Sequence, residues 1–324
     1  MKIITDLNSI EQEKPSAVAI GKFDGLHLGP RELMARLSRQ RQRGLQIVVF
    51  TFDPSPEAFF SGGAVKELST RDEKRAVFER MGIDVLVEFP MNAQNAATEP
   101  ASFVRNILVE KLNARFIVAG PDLSFGDRGR GNYELLESMA SECGYETCRI
   151  DKVQYQDEDI SSTRVRMLVE EGRMEDATAC LGMPYSISGT ILHGKELGRK
   201  IGIPTVNILP EEGKLLPPFG VYYATVRVYW NGFGDVSSKI FRGMTNIGVK
   251  PTVKDDDVVC VETYLYDFEG DLYGKDIDVS LLNFRRPERK FSDVEELQKT
   301  MEEDVLAGRE FFEMDAEDDM EDDM

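Results

Sequence analysis

Short apolar runs alternate with amphipathic segments along the first half of the chain. The apolar runs at 17–20, 47–52, 84–89 and 116–119 have the length and composition of buried strands. Between and after them, apolar residues recur at helical spacing over 31–43, 70–82, 103–112 and 132–143. Strands that alternate with helices of this length predict βαβ units, a parallel sheet, and ligand sites at the carboxyl ends of the strands.

The pattern changes near Leu181, where a Gly-Met-Pro sequence follows. Beyond it the chain is typical of closely spaced strands, at 185–192, 220–229, 238–247, 258–267 and 276–284. Such spacing, with Asn231-Gly232 as a turn signal, favours an antiparallel barrel. One amphipathic helix is predicted at about 294–307. We therefore expect an α/β domain followed by a β domain.

Composition and charge narrow the classes of function. The chain has 324 residues, 41% of them apolar, and no run approaches the roughly 18 apolar residues of a membrane span. Asp6 interrupts the position where a secretory signal is apolar, and the four cysteines show no metal-binding spacing, so we expect a cytoplasmic protein with reduced thiols. The net charge of −19 argues against a nucleic-acid partner. The acidic residues of 315–324 indicate a disordered tail.

A glycine-rich turn follows the first apolar run. Gly21, Gly25 and Gly29 allow tight bending, and a helix is expected to start at Pro30. The unpaired amides of a helix start, together with His27, would suit a phosphate group. An ordinary strand–turn–helix connection fits the same spacing equally well.

Three further segments carry candidate chemistry. Residues 160–166 offer hydroxyls and two arginines at a helix start, which suits either phosphate binding or a plain helix cap. Residues 194–207 combine glycines and cations with Thr205 and Asn207, two neutral oxygen donors on one strand face, as magnesium-bound phosphates require; a polar barrel loop is the alternative. Glu262 is a carboxylate among aromatic residues, and it either faces solvent or lines a pocket as a base.

Taken together, these segments resemble the bacterial bifunctional riboflavin kinase/FAD synthetase family over about residues 15–310. The matching motifs occur in the right order at 21–29, 51–54, 118–126, 160–166, 193–207, 217–222, 246–252, 261–265 and 267–274. The resemblance implies a Rossmann-like nucleotidyltransferase domain with a parallel sheet at 1–183. It also implies an antiparallel riboflavin kinase barrel at 184–310, followed by the acidic tail at 311–324.

The resemblance also implies roles for individual residues. In the barrel, Thr205 and Asn207 would bind Mg²⁺ and ATP phosphate, and Glu262 would take the proton of the ribityl 5′-hydroxyl. The loop over the phosphates would include Gly194, Gly198, Arg199, Gly202 and Pro204. In the first domain, His27 and Arg166 would be catalytic. The other nucleotide-binding residues would be Gly21, Phe23, Asp24, Gly25, Gly29, Ser162 and Thr163. The flavin contacts would be Phe52, Asp122, Phe125 and Arg285.

Two positions depart from the family pattern, and both lie in the first domain. Pro30 stands where the family has the second histidine of a His-x-Gly-His motif, and Ser55 stands where a histidine follows Asp-Pro. The main hypothesis is an enzyme that phosphorylates riboflavin to FMN and adenylylates FMN to FAD, with ATP as co-substrate. The alternative is a riboflavin kinase whose first domain binds flavin or nucleotide without catalysis. The sequence does not indicate an oligomeric state.

Overall fold

The structure is a computed structural model, and it describes residues 1–6, 9, 13–193, 202–233, 237–251 and 257–321. The chain forms two compact units. The first consists of Met1–Arg166, Cys180–Gly182 and Gly213–Leu215. The second consists of Met167–Ala179, Met183–Glu212 and Leu216–Met324. The predicted limits at residues 183 and 310 stay a prediction.

The first unit is built on a six-stranded parallel sheet. The strand order is β1-β4-β3-β2-β5-β6, and each neighbouring pair is parallel. The strands are β1 (Lys2–Ile4), β2 (Ser16–Ile20), β3 (Gln46–Asp53), β4 (Val85–Pro90), β5 (Ala114–Ala119) and β6 (Glu146–Arg149). Val18 and Val48 point into one core layer, and their neighbours Ala17 and Ile47 point into the other. Both faces are therefore covered, as is usual for parallel sheets.

Helices connect these strands in the order that the sequence predicts. They are α1 (Leu28–Ser38), α2 (Pro56–Phe60), α3 (Arg71–Arg80), α4 (Ala93–Ala96), α5 (Pro100–Ser102) continuing as a π-helix (Phe103–Lys111), and α6 (Tyr133–Cys143). The predicted capping box is present at α3: Thr70 Oγ1 accepts from the amide of Glu73 (3.3 Å), and Glu73 Oε2 accepts from the amide of Thr70 (2.9 Å). A small hairpin, β7 (Gln154–Tyr155) and β8 (Glu158–Asp159), leads into α7 (Ser162–Glu170) and α8 (Met174–Leu181).

The second unit is built on a six-stranded antiparallel sheet of order β10-β13-β12-β11-β14-β9. Its strands are β9 (Tyr185–Thr190), β10 (Thr205–Ile208), β11 (Gly220–Tyr229), β12 (Lys239–Pro251), β13 (Asp257–Leu265) and β14 (Asp276–Pro287). The two edges meet where the amide of Leu192 donates to the carbonyl oxygen of Asn207 (2.9 Å). The sheet thus curls into a barrel, and the predicted fold class is confirmed.

The last helix, α9, is longer than the sequence predicts. It runs from Val294 to Glu321, although its amphipathic pattern predicts an end near Ala307. The aromatic ring of Phe312 explains the extension as far as this residue, because it packs against Tyr223 and Tyr266. The backbone is therefore helical over most of the segment that the sequence assigns to a disordered tail.

Candidate functional sites

The glycine-rich turn between β2 and α1 bends as its sequence predicts. The amide of Gly21 donates to the carbonyl oxygen of Phe50 (3.1 Å), which anchors the turn to β3. Gly25 has φ +83°, and a Cβ there would lie 2.7 Å from Leu68 Cδ1, so both conformation and space require glycine. The helix starts at Leu28 with His27 as its N-cap, two residues before the predicted start at Pro30.

His27 is the notable polar group of this turn. Its Nδ1 atom is buried and has no hydrogen-bond partner among the described residues. Burial lowers the pKa of His27 from 6.5 to about 4, so the imidazole is neutral near pH 7. A Cβ at Gly29 would lie 3.3 Å from His27 Cε1, so the absence of a side chain there leaves room for the ring. A buried ring nitrogen without a protein partner is consistent with a ligand contact.

The start of α7 approaches the same turn. The Arg166 guanidinium forms an ion pair with Asp24, which is 4% exposed, and Ser162 Oγ donates to the carbonyl oxygen of Asp24 (2.8 Å). Burial raises the pKa of the Asp24 carboxyl, and the charge of Arg166 opposes that rise. Ser161 Oγ accepts from the amide of Arg164 (3.2 Å), so this residue caps the start of the helix.

Asp24, His27, Ser162 and Arg166 line one cavity of about 280 Å³ in the first unit. The predicted site residues among its walls are Gly21, Phe23, Asp24, His27, Gly29, Phe52, Asp122, Ser162, Thr163 and Arg166. Pro30 and Ser55 also line it. Two predicted residues are not among its walls. Gly25 lies behind the turn against Leu68, and Phe125 packs in the core against Phe103, with ring centroids 5.1 Å apart.

Two lysines at this cavity were missed as site residues. Lys22 forms an ion pair with Glu57, and both side chains line the cavity. Lys152 Nζ lies 3.4 Å from Asp122 Oδ2 and 3.3 Å from Asp159 Oδ2. Their position in the sequence could have identified them, because both lysines follow the carboxyl ends of parallel strands, where a ligand site is expected.

In the second unit, sheet register aligns the predicted kinase residues. Asn207 of β10 and Asn246 of β12 lie directly opposite Glu262 of β13, one on each side. Directly opposed residues have Cβ atoms about 4.5–5.5 Å apart. Cys260 Sγ donates to Asn207 Oδ1 (3.5 Å), which fixes the amide further. Asn246 had not been predicted as a site residue, because its pairing with Glu262 depends on a register that the sequence does not display.

The second unit also has a cavity of about 340 Å³, and Asn207, Glu262 and Asn246 are not among its walls. Thr205 and Pro204 line it, together with the loop 268–273. The ring of His193 stacks on Tyr273 at 3.7 Å between centroids. Gly202 has φ +80°, which suits glycine. The other predicted members of the phosphate loop, Gly194, Gly198 and Arg199, lie outside the described residues.

Arg285, the remaining predicted flavin contact, lies near the C-terminal helix. Its Nε is 3.6 Å from Asp304 Oδ1. The neighbouring Arg286 makes the closer ion pair, with Nη2 2.7 Å from Asp304 Oδ2. The side chain of Arg285 is 43% exposed and so remains accessible to a ligand.

The described residues show neither a cluster of metal-binding side chains nor a membrane-spanning helix. In the described part of the chain, no three histidine, cysteine or acidic side chains cluster as a metal site would require. No helix within it is long and apolar enough to cross a membrane.

A glycine-rich turn at the carboxyl edge of a parallel sheet and a polar row on a barrel define a two-unit protein of the nucleotide-handling class. A family model described as FAD synthetase matches residues 9–164, and one described as riboflavin kinase matches residues 181–312. The chain belongs to the family of bifunctional riboflavin kinase/FMN adenylyltransferases. The family assignment made from the sequence is therefore confirmed, as is its expectation of an enzyme of flavin cofactor biosynthesis.

Individual relatives match over nearly their whole length. A bifunctional riboflavin kinase/FMN adenylyltransferase of Listeria monocytogenes is 36% identical, over 95% of this chain and 94% of the relative. The protein of the same description from Escherichia coli K12 is 34% identical, over 96% and 98%. A crystal structure described as a macrolide-efflux protein from Streptococcus pneumoniae is 28% identical, with a TM-score of 0.81 over 95% of this chain and 98% of that one.

Proposed function

We propose that the chain carries out two successive steps of flavin cofactor synthesis. The second unit transfers the γ-phosphoryl group of ATP to riboflavin and forms FMN and ADP. The first unit transfers the AMP group of ATP to FMN and forms FAD and pyrophosphate. The observation that carries the proposal is the alignment of Asn207, Glu262 and Asn246 in one cross-strand row, in a chain whose other unit holds His27 and Arg166 at one cavity.

For the kinase step, Glu262 is the base. Its carboxylate takes the proton of the ribityl 5′-hydroxyl while that oxygen forms a bond to the γ-phosphorus and the bond to the ADP oxygen breaks. Thr205 and Asn207 supply neutral oxygens, which fits Mg²⁺ that takes its remaining ligands from ATP phosphates and water. When bound, this ion neutralises phosphate charge. Thr205 also faces the second cavity, which supports it as the ATP side of the site.

For the adenylyl step, the first cavity holds the triphosphate. The oxygen of the FMN phosphate attacks the α-phosphorus, and pyrophosphate leaves. His27 is neutral near pH 7, so it acts as a hydrogen-bond donor to the α-phosphate rather than as a cation. Arg166 has five N–H donors, so it can bind phosphate oxygens while it keeps its ion pair with Asp24. The amides of Leu28 and Gly29 in the first turn of α1 add donors.

Product analysis tests both steps. Purified protein is incubated with riboflavin, ATP and Mg²⁺, and the flavins are separated by chromatography. We expect FMN first and FAD later. FMN without FAD would support the alternative in which the first unit binds without catalysis. Neither product above a blank without enzyme would overturn the proposal.

We also propose a cytoplasmic location. None of the four cysteines, Cys143, Cys148, Cys180 and Cys260, forms a disulfide in the structure, which is typical of a reducing compartment. The substrates riboflavin, FMN and ATP are small molecules.

A further inference from the structure

The first unit includes three residues that come from the second half of the sequence, Gly213, Lys214 and Leu215. Their backbone pairs with Glu67 in a parallel bridge. The amide of Glu67 donates to the carbonyl oxygen of Gly213 (2.9 Å), and the amide of Leu215 donates to that of Glu67 (2.8 Å). These bonds fix Lys214 against the segment that leads into α3.

The side chain of Lys214 is only 2% exposed. Its Nζ donates to the carbonyl oxygen of Leu68 (2.8 Å) and to Glu73 Oε2 (2.6 Å). A buried ammonium group is costly unless it is paired and hydrogen-bonded, and these two acceptors provide that pairing. The same Glu73 oxygen accepts from the amide of Thr70, so Lys214 and the capping box of α3 share one carboxylate.

The segment that Lys214 holds contacts Asp24, which is one wall of the first cavity. The amide of Ser69, next to Leu68, donates to Asp24 Oδ1 (3.2 Å). Asp24 in turn holds Arg166 by its carboxylate and Ser162 by its carbonyl oxygen. Each step in this series is a direct contact between described residues, and the series joins Lys214 to two groups at the cavity.

Charge balance points the same way. Three ion pairs lie together here: Lys214 with Glu73, Lys74 with Glu67, and Arg166 with Asp24. The side chains of Glu73 and Asp24 are 10% and 4% exposed. Loss of the Lys214 charge would leave one carboxylate in excess. This carboxylate would attract Arg166, the nearby cation proposed to bind phosphate, and so weaken its binding of the triphosphate.

We propose that Lys214 is a positioning residue for adenylyl transfer, which holds the segment 67–70 so that Asp24 orients Arg166 and Ser162 toward the triphosphate. The inference rests on the proposed function of the first unit. It assigns to that site a residue that lies within the stretch matched by the riboflavin kinase model.

The test compares full-length variants. Lys214→Met removes the charge and keeps the length of the side chain, and Lys214→Arg keeps the charge. Lys214→Met/Glu73→Gln removes both charges while glutamine still serves the capping box. Lys14→Met, at an exposed position of the same unit, controls for the loss of a lysine. Measured quantities are kcat and KM for ATP in both reactions, the thermal midpoint, and hydrogen–deuterium exchange of peptides covering 65–75.

We expect Lys214→Met to raise KM for ATP in FAD formation about tenfold and to leave FMN formation within twofold, since misplaced contacts act on the site they position. Exchange at 67–70 should accelerate, and Lys214→Arg should recover most of both effects. The double variant should regain thermal stability and part of the ATP KM, because it removes the excess carboxylate but not the loss of the Lys214 contact with Leu68. Unchanged KM and exchange in Lys214→Met would overturn the inference. If wild type makes no FAD, the proposed function fails, and the exchange data still decide whether Lys214 holds this segment.

Discussion

Asn207 is the direct cross-strand neighbour of Glu262 in the antiparallel pair β10–β13. Fifty-five positions separate the two residues in the sequence, and the register of one strand pair brings them together. A slip of one residue would turn either side chain to the opposite face of the sheet. The geometry of the kinase site therefore depends on the buried face of β13, where Val261 and Thr263 fix the register from inside the barrel.

Glu262→Gln should abolish most riboflavin phosphorylation. Glutamine keeps the shape of the side chain but cannot take the proton, so kcat should fall about 10²–10⁴-fold while riboflavin and ATP still bind. Steady-state kinetics and a fluorescence titration of riboflavin measure the two effects. Glu303→Gln, an exposed position on α9, is the control. Near-normal turnover in Glu262→Gln would move the role of base to another group.

Thr205→Ala should weaken the use of magnesium by the kinase. The substitution removes one of the two neutral oxygens expected at the ion, so the Mg²⁺ concentration for half-maximal FMN formation should rise about tenfold. Thr190→Ala is the matched control, because its hydroxyl donates to Asp276 Oδ1 on another strand pair of the same unit. Chelation by EDTA should stop FMN formation in both variants. A Thr205→Ala enzyme with wild-type Mg²⁺ dependence would contradict the assignment.

Most of the fold follows from local pattern. The four apolar runs predict β2 to β5 of the parallel sheet. They do not include β1, whose three residues are too short to show a period, or β6, whose sequence is polar. The capping box at Thr70 predicts the start of α3 within one residue. The extension of α9 was not predictable from the acidic residues after Met314, because it depends on the tertiary contact of Phe312 with Tyr223.

The candidate sites likewise contain residues that local sequence predicts and residues that only the tertiary structure brings in. The motif around His27 places most of its residues at one cavity, because a strand, a turn and a helix start lie close together in sequence. Asn246 and Lys214 could not be predicted, since strand register places the first and a distant segment of chain supplies the second. The flavin contact of Phe125 stays a prediction, and the structure places its ring away from the cavity walls. An aromatic residue within a recognised motif forms part of the hydrophobic core beside Phe103.

The free energy of unfolding should depend on pH through His27. Its pKa is about 4 in the folded chain, against 6.5 for the ordinary side chain. Between these values the unfolded chain binds a proton that the folded chain does not. The free energy of unfolding is therefore not reduced by His27 above pH 6.5. As the pH drops to 4, protonation of the unfolded chain lowers it by at most about 3 kcal/mol.

Denaturant unfolding at several pH values measures this effect. His27→Gln should flatten the dependence between pH 6.5 and 4 relative to wild type. Other titrating groups contribute to both proteins, so the difference isolates His27. His193→Gln removes the other histidine of the chain and serves as the control. Equal slopes for wild type and His27→Gln would show that the imidazole is not buried as the structure has it.

Ser55 has a structural role that bears on the altered motif. It is 2% exposed and is the N-cap of α2, with Oγ accepting from the amide of Ala58 (3.2 Å). Replacement of such a cap costs about 1 kcal/mol, and a larger side chain at a buried position adds strain. Pro30 is half-buried and lines the same cavity. A histidine at position 55 would therefore remove a buried helix cap, whereas a histidine at position 30 would replace a half-buried residue at the cavity wall.

Pro30→His together with Ser55→His should raise the rate of FAD formation. Binding of ATP draws on many contacts, whereas the rate depends on the few that strengthen in the transition state. One added donor near the reacting phosphates should increase kcat about tenfold, below the roughly 3–4 kcal/mol limit for such a group, with the ATP Kd within twofold. The single variants Pro30→His and Pro30→Ala separate the effect of the imidazole from the mere removal of proline. Ser55→His should lower the thermal midpoint, because it removes the N-cap of α2. If Pro30→Ala matches Pro30→His, the restored backbone amide at this position, rather than the imidazole, stabilises the transition state.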